Sequence, residues 1–475
     1  MRIAAAPLAP IAGALAANAA GILAAHAAAA RAGAELLVTP LASLTGAPLH
    51  DLLADAAFHE AAEAVLQQLV ATLPAEGPAL LLGTVWQEAG APRQGVVLVE
   101  GGRVAARRPQ HFFQAPDPLG LAGRCRPGPA PGPLACRGIR LGLLPGADAG
   151  DAATAETLLE TGAELLLALP ATPFDATAAE DRASDRALAR VVETGLPLLA
   201  LSLRGAGEDL LFPGGGFALN ADHRLAARLP EFAADLWITD WAEGADGWAA
   251  APQPLPPLAG DAGRLAAALQ AWLRAMVAQG GAAGVVVPLG APASALLALL
   301  AAEALGSAAT LLTAAPEDAA ARHLADRLRR PLHPLPAGRA EGFAADRGAL
   351  LLNPLDKRDA ALGRAAPFGH LAPLRDLTPG AWSPLAAARG LPVPDPDPDE
   401  PALLALIEGR QGMDSLAAAG YDPAGLRRLA AALARAEPLR RRLPPGPALG
   451  PLAFGRHRRY PAHPGPHSLQ ARPEA

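Results

Sequence analysis

A chain of 475 residues, 51% of them hydrophobic, is long enough for two to four domains with sizeable cores. A net charge of −6 with no basic stripe argues against a nucleic-acid partner. Cys125 and Cys136 are the only cysteines, too few for a disulfide framework, and they form no metal pattern.

Taken in order, residues 1–7 read as a strand, 18–32 as a helix and 35–39 as a second strand. The Ala-rich composition here imitates a secretion signal, but the strand–helix–strand pattern makes the stretch part of a fold. No unbroken apolar run reaches membrane-spanning length, so a cytoplasmic protein without a membrane partner is expected. Further strands are expected at 79–83, 95–100, 139–144, 164–169, 196–201 and 215–219, and helices at 151–161 and 177–193. Strands arriving in pairs between helices predict sheets covered by helices, an α/β class. The Pro/Gly-rich stretch 244–261 reads as a linker. A second α/β region is expected over 262–390. After a Pro/Asp run at 392–401, a helical segment and a surface tail complete residues 391–475.

The second region is organised around GVVVPLGAPASALLALLAAEALG at 284–306. Residues 284–287 are an apolar β-branched run, 288–292 break it, and Ser294 is expected to cap an Ala/Leu helix. A glycine-containing turn that feeds a helix N-terminus suits phosphate, because free N–H groups and the helix dipole converge there. An ordinary buried strand–helix unit gives the same pattern.

Leu289-Gly290-Ala291-Pro292-Ala293-Ser294 resembles the S-G-G-x-D-S pyrophosphate loop of NAD synthetases. Gly290 and Ser294 match. The first serine and the aspartate do not, and Pro292 removes an N–H. LLNPLDKRDAALG at 351–363 resembles the family's S-T-G-N-K-S-E…L-G region, with Lys357 and Gly363 matching and Asp359 keeping the charge of the usual Glu. Pro354, Leu355 and Asp356 depart from it. Lys357, the only lysine of the chain, is the best active-site candidate; a solvated salt-bridge lysine is the alternative. LAPLRDLTPGAWSPLA at 371–386 keeps Asp376 of a D-x-x-K-T segment but carries Pro379 at the lysine. Residues 436–461 resemble the family's C-terminal R-R-Q-x-P-P-G-P…F-G-R-D-R-R-Y-P pattern. There Arg456, Arg458 and Arg459 are candidates for phosphate or subunit contacts, or belong to a surface-tethering tail. Residues 332–350 are fewer than the family uses to cover its nucleotide.

TPLASLTGAPLHDLL at 39–53, RVAARRPQH at 103–111, GIRLGLLPGAD at 138–148 and FPGGGFALNADHRLAARLPEF at 212–232 resemble the nitrilase-superfamily amidase domain of glutamine-dependent NAD synthetases. That domain hydrolyses glutamine with a Glu, a Lys and a Cys: a thiolate attacks, a carboxylate moves protons, and a lysine helps hold the oxyanion. Here the three positions fall at Leu41, Pro109 and Gly146. Asp148 is the surviving acid, with a turn or helix-capping role as its ordinary reading. His111, beside Phe112 and Phe113, is read as packed or exposed rather than catalytic. Both cysteines precede the strand at 139–144, whereas the nucleophile follows it.

The resemblance implies a nitrilase-like α-β-β-α domain over 1–243, then a Rossmann-like adenine nucleotide α-hydrolase domain. It also implies ATP and Mg²⁺, deamido-NAD⁺ and glutamine as substrates, and a homo-oligomer or a hetero-oligomer with an active paralogue. With no catalytic residue of the first domain retained, an impaired or inactive member is expected. The alternatives are an active synthetase with divergent motifs and a non-catalytic nucleotide-binding or assembly partner.

Overall fold

The computed structural model describes residues 1–114, 117–177, 182–306, 309–336, 338–364 and 366–462. They fall into two units, Met1–Phe174 with Ala178–Leu258 and Asp175–Thr177 with Ala259–Ala475.

The first unit runs β1 (Arg2–Ala5), α1 (Leu15–Arg31), β2 (Leu36–Val38), α2 (Ala56–Thr72), β3 (Ala79–Glu88), β4 (Ala91–Glu100) and β5 (Arg103–Pro109). Then come β6 (Leu134–Cys136), β7 (Ile139–Pro145), α3 (Ala152–Glu160), β8 (Leu165–Leu169), α4 (Arg182–Thr194) and β9 (Leu198–Leu201). It closes with β10 (Arg204–Gly207), β11 (Leu210–Pro213), β12 (Gly216–Leu219), β13 (Leu225–Leu229), β14 (Trp237–Gly244) and β15 (Gly247–Ala250). One sheet has the order β15-β14-β1-β2-β3-β4-β5, the other β13-β12-β9-β8-β7-β6. Alternation along the strands explains the layers. Ile3, Leu36, Leu81, Leu98, Leu143 and Leu167 meet in the core between the sheets. Ala4, Leu37, Leu80 and Val97, one residue on or back, pack with Ile22 and Leu66 of α1 and α2. Leu166 and Ala200 do the same with Leu158 and Val191 of α3 and α4. The result is the expected α-β-β-α sandwich. Asp55 and Asp151 start α2 and α3 by accepting N–H bonds from Ala57 and Thr154, both at 2.9 Å.

One expectation changes here. Residues 247–250, inside the stretch read as linker, form an edge strand: Trp241 and Ala250 pair across a hairpin whose buried members join the inter-sheet core. Cys136 closes β6. Of the helix expected over 177–193, residues 178–181 lie outside the described residues.

The second unit runs α5 (Asp261–Gln279), β16 (Gly284–Pro288), α6 (Pro292–Leu305), β17 (Thr310–Ala314), α7 (Ala319–Arg327), β18 (Leu332–Pro334), α8 (Ala340–Ala345), β19 (Ala349–Leu351) and α9 (Lys357–Leu362). A helical part follows: α10 (Pro379–Ala388), α11 (Glu400–Ile407), α12 (Met413–Ala418), α13 (Pro423–Arg435) and α14 (Glu437–Arg440). Its sheet is all parallel, in the order β18-β17-β16-β19. The order reverses between β16 and β19, where open parallel sheets bind ligands beyond the strand C-termini. The 289–291 loop and the 352–356 segment leave the sheet at that point. Among the described residues, no helix is long and apolar enough to cross a membrane.

Candidate functional site

In the first unit the three residues to which the resemblance points as catalytic positions, Leu41, Pro109 and Gly146, sit at or just after strand ends. Leu41 follows β2, Pro109 ends β5, and Gly146 directly follows β7. Leu41 is fully buried in the inter-sheet core. Gly83 makes room for it: a Cβ there would stand 2.6 Å from Leu41 Cα. Gly146 has φ +59°, a left-handed backbone that favours glycine. A Cβ at Gly146 would lie 2.4 Å from Gln110 Oε1 and 2.9 Å from its Cδ. The Gln110 carboxamide therefore fills the space into which any side chain at position 146 would project. Its Nε2 donates to Phe112 O at 2.7 Å.

Asp148 is buried within the 3₁₀ turn Gly146–Gly150 and pins the chain after β5. It accepts N–H bonds from His111 at 3.0 Å and Phe112 at 2.6 Å. This is a turn role; the helix cap nearby is Asp151. His111 Nδ1 donates to Gly128 O at 2.9 Å, so the ring is packed. Both cysteines are free and buried, and burial pushes their thiols up, Cys125 to about 11 and Cys136 to about 12. Neither is at the end of β7. The sequence reading passed over Gln110. The signal was strand alternation: Arg108 faces Val96 across the ladder, and Val96 belongs to the inter-sheet core. Arg108 and Gln110 thus point inward, flanking the proline.

In the second unit, Ser294 is not the helix cap. Ala291 occupies that position, Pro292 is the first helical residue, and Ser294 lies one turn in. Its hydroxyl donates to Ala291 O at 2.5 Å and accepts from Ala291 N at 3.2 Å. It is spent on its own turn, together with the N–H nearest the loop. Gly290 has φ +142° and open space around it.

Lys357 opens α9 with its ammonium in the interior. Its side chain is 1% exposed, 3.0 Å from Asp376 Oδ1 and 2.5 Å from Glu408 Oε1. Asp376 Oδ2 accepts from Leu449 N at 2.8 Å and Gly450 N at 2.7 Å. Gly450 is close enough that a Cβ would meet Lys357 Nζ at 3.3 Å. The cluster ties α9, the 371–378 loop, the C-terminus of α11 and the tail together. Lys357 is a salt-bridge lysine, but a buried one. A cavity of about 350 Å³ opens beside it, lined among others by Asp261, Thr378, Leu385 and Leu404. Asp359 is half-buried and gives its backbone N–H to the cap Asp356 Oδ1 at 3.0 Å. Gly363 ends α9 in the left-handed region at φ +68°.

Arg440 and Arg458 turn inward, whereas Arg459 is exposed. Arg458 donates to Leu406 O at 2.7 Å and to Ile407 O, the last carbonyls of α11, where a cation is favoured by the helix dipole. It also meets the Tyr460 hydroxyl. Arg459 donates to Gly455 O. Arg440 is buried, bonded to Glu437, Ala361 O and Leu433 O, with its guanidinium 4.7 Å over the Phe454 ring. Arg456, the third tail candidate, is half-buried.

The carbon-nitrogen hydrolase family model matches residues 2–249. A glutamine-dependent NAD(+) synthetase from Rhodobacter capsulatus is 31% identical over 540 positions, covering 97% of this chain and 98% of the relative. The chain belongs to the glutamine-dependent NAD(+) synthetase family. A synthetase of the same description from Synechocystis is 26% identical over 50% of this chain and 46% of its own length. Two solved synthetases share the fold end to end. The one from Acinetobacter baumannii, in complex with ADP, has a TM-score of 0.75 at 21% identity, covering 97% of this chain and 98% of its own. The one from Cytophaga hutchinsonii has 0.80 at 15% identity, covering 97% of both chains.

The 540 matched positions exceed the 475 residues of this chain, so the Rhodobacter synthetase carries extra residues inside the matched span. For a synthetase the donor set is thin. Among the described residues no three His, Cys, Asp or Glu side chains come together to hold a metal. Asp376 is taken by Lys357 and two N–H groups, and Asp356 by its helix cap and the Trp382 indole. These residues do not fit Mg²⁺.

Two buried carboxyls carry a pH consequence. Burial pushes Asp148 up to about 7, against the N–H bonds it accepts, and Asp356 up to about 6, with Asp359 adding to the rise. Both folded values lie above the unfolded value near 3.9. The folded state therefore binds more protons between about pH 4 and 7, and these groups make stability fall as pH rises through that window. Asp148→Asn is expected to flatten that fall in urea midpoints taken at pH 5 and 7.5. An unchanged slope would remove Asp148 from the account.

Proposed function

We propose that this member of the family neither hydrolyses glutamine nor forms NAD⁺ at the rate of an active synthetase, and that it serves as a non-catalytic binding or assembly partner. The observation that carries this reading is Gly146: no nucleophile, a left-handed backbone, and the Gln110 carboxamide in the space a side chain needs. Leu41 and Pro109 remove the carboxylate and the lysine that would serve it. Losing a catalytic unit costs about a million-fold in turnover. In the second unit Ser294 is bonded to its own turn and Lys357 is locked between two carboxylates, which leaves few donors for pyrophosphate. By family, ATP, deamido-NAD⁺ and glutamine are the ligands to try, and an active paralogue is the assembly partner to try alongside self-association.

The test is glutamate release from labelled glutamine by the full chain, with and without ATP and deamido-NAD⁺. Background release is expected in both. Saturable release would overturn the reading of the first domain. A second reading, an active ammonia-dependent synthetase with divergent motifs, is favoured only by the cavity beside Lys357.

A further inference from the structure

We infer that the first unit holds a binding site for a small carboxylate that also carries a hydrogen-bond donor, built from Gln94, Arg108 and Gln110 on the inter-sheet face of β4 and β5. Gln94 and Gln110 are cross-strand neighbours, joined by Gln110 N donating to Gln94 O at 2.8 Å. Arg108 is the next residue on the same face, opposite Val96. Gln94 is 2% and Gln110 3% exposed. Yet Gln94 Nε2, Arg108 Nε and Gln110 Oε1 are all buried without a hydrogen-bond partner among the described residues.

Such a triple is uncommon, because each buried polar atom left unpaired is destabilising. Arg108 is the sharper case. Its neighbour Arg107 turns outward to Glu63 at 2.6 Å. Among the described residues Arg108 has no such carboxylate, and burial holds its guanidinium below the usual arginine value. Asp148, which holds the segment just after β5, accepts from the His111 and Phe112 N–H groups. Arg108 is half-buried, with its Nε enclosed and unpaired and no carboxylate bonded to it among the described residues, which suits an anion. The carboxylate would accept from Arg108 and Gln94. A hydroxyl on the adjacent carbon would donate to Gln110 Oε1, the one unpaired acceptor. Among small ions, this donor–donor–acceptor set favours a 2-hydroxy acid over a simple acid. The site is independent of whether the chain makes NAD⁺.

The experiment is the thermal midpoint of the full chain, followed by tryptophan fluorescence, in potassium glycolate, acetate or chloride at equal ionic strength. Glycolate is expected to raise the midpoint by about 2–4 °C over chloride at saturation, and acetate by less. Arg108→Leu is expected to abolish the rise, and to match or exceed wild type in chloride, because it removes the unpaired charge. Gln94→Met, the second variant, keeps the arginine and is expected to weaken glycolate binding several-fold. No rise over chloride in wild type, or an undiminished rise in both variants, would overturn the site. Acetate equal to glycolate would overturn the role of Gln110.

Discussion

Lys357→Met is expected to destabilise the second unit by about 3–5 kcal/mol, the effect of breaking a buried ion pair from one side. The lysine side chain is 1% and that of Asp376 4% exposed, so removing the ammonium leaves a carboxylate in the interior with only its two N–H partners. Glu408, at 22%, relaxes more easily toward water. Adding Asp376→Asn and Glu408→Gln to Lys357→Met is expected to recover part of the loss, since the uncompensated charge disappears with them. Trp382 makes the measurement local: it is fully buried and donates its indole N–H to Asp356 Oδ2 at 3.4 Å, one residue from Lys357. A loss below about 1 kcal/mol would mean that the lysine is solvated after all.

Gly146→Ala is expected to cost about 2–4 kcal/mol in the first unit, from two separable sources. The left-handed backbone accounts for about 1–2 kcal/mol with any β-carbon. The overlap with Gln110, a Cβ 2.4 Å from Oε1, accounts for the rest as overpacking. In a Gln110→Ala background only the backbone part should remain, so the two substitutions are expected to couple by about 1–2 kcal/mol in a double-mutant cycle. Equal losses in both backgrounds would show that Gln110 moves aside freely. For the same reason Gly146→Cys alone is not expected to create a glutaminase, because the thiol would meet the Gln110 carboxamide.

The sheets were legible because their strands are short apolar runs with turn residues on either side. Strand β16 was placed at its observed start, Gly284, for that reason, whereas α6 begins at Pro292, three residues before the start that a Ser294 cap implies. The edge strand 247–250 was not legible, since Gly-Trp-Ala-Ala between Pro- and Gly-rich flanks carries no period; only pairing with β14 makes it a strand. The motif resemblance pointed to Leu41, Pro109 and Gly146 as candidate positions for the family's Glu, Lys and Cys. What packs around them could not be read from the sequence. Gln110 reaches Gly146 across two sheets, and Lys357 finds Glu408 fifty-one residues away. Such partnerships depend on packing between elements and leave no local spacing. The tail shows the limit most plainly: its motif is well kept, but the backbone carbonyls of α11 that Arg458 meets carry no sequence signature.

The most direct test of the account is ATP-dependent conversion of deamido-NAD⁺ to NAD⁺ by the purified, folded chain, once with glutamine and once with ammonium. No NAD⁺ above a protein-free control is expected in either. Turnover with glutamine would contradict the account outright, because Gly146 offers no nucleophile. Turnover with ammonium alone would confine the loss to the first domain and contradict the reading of Ser294 and Lys357.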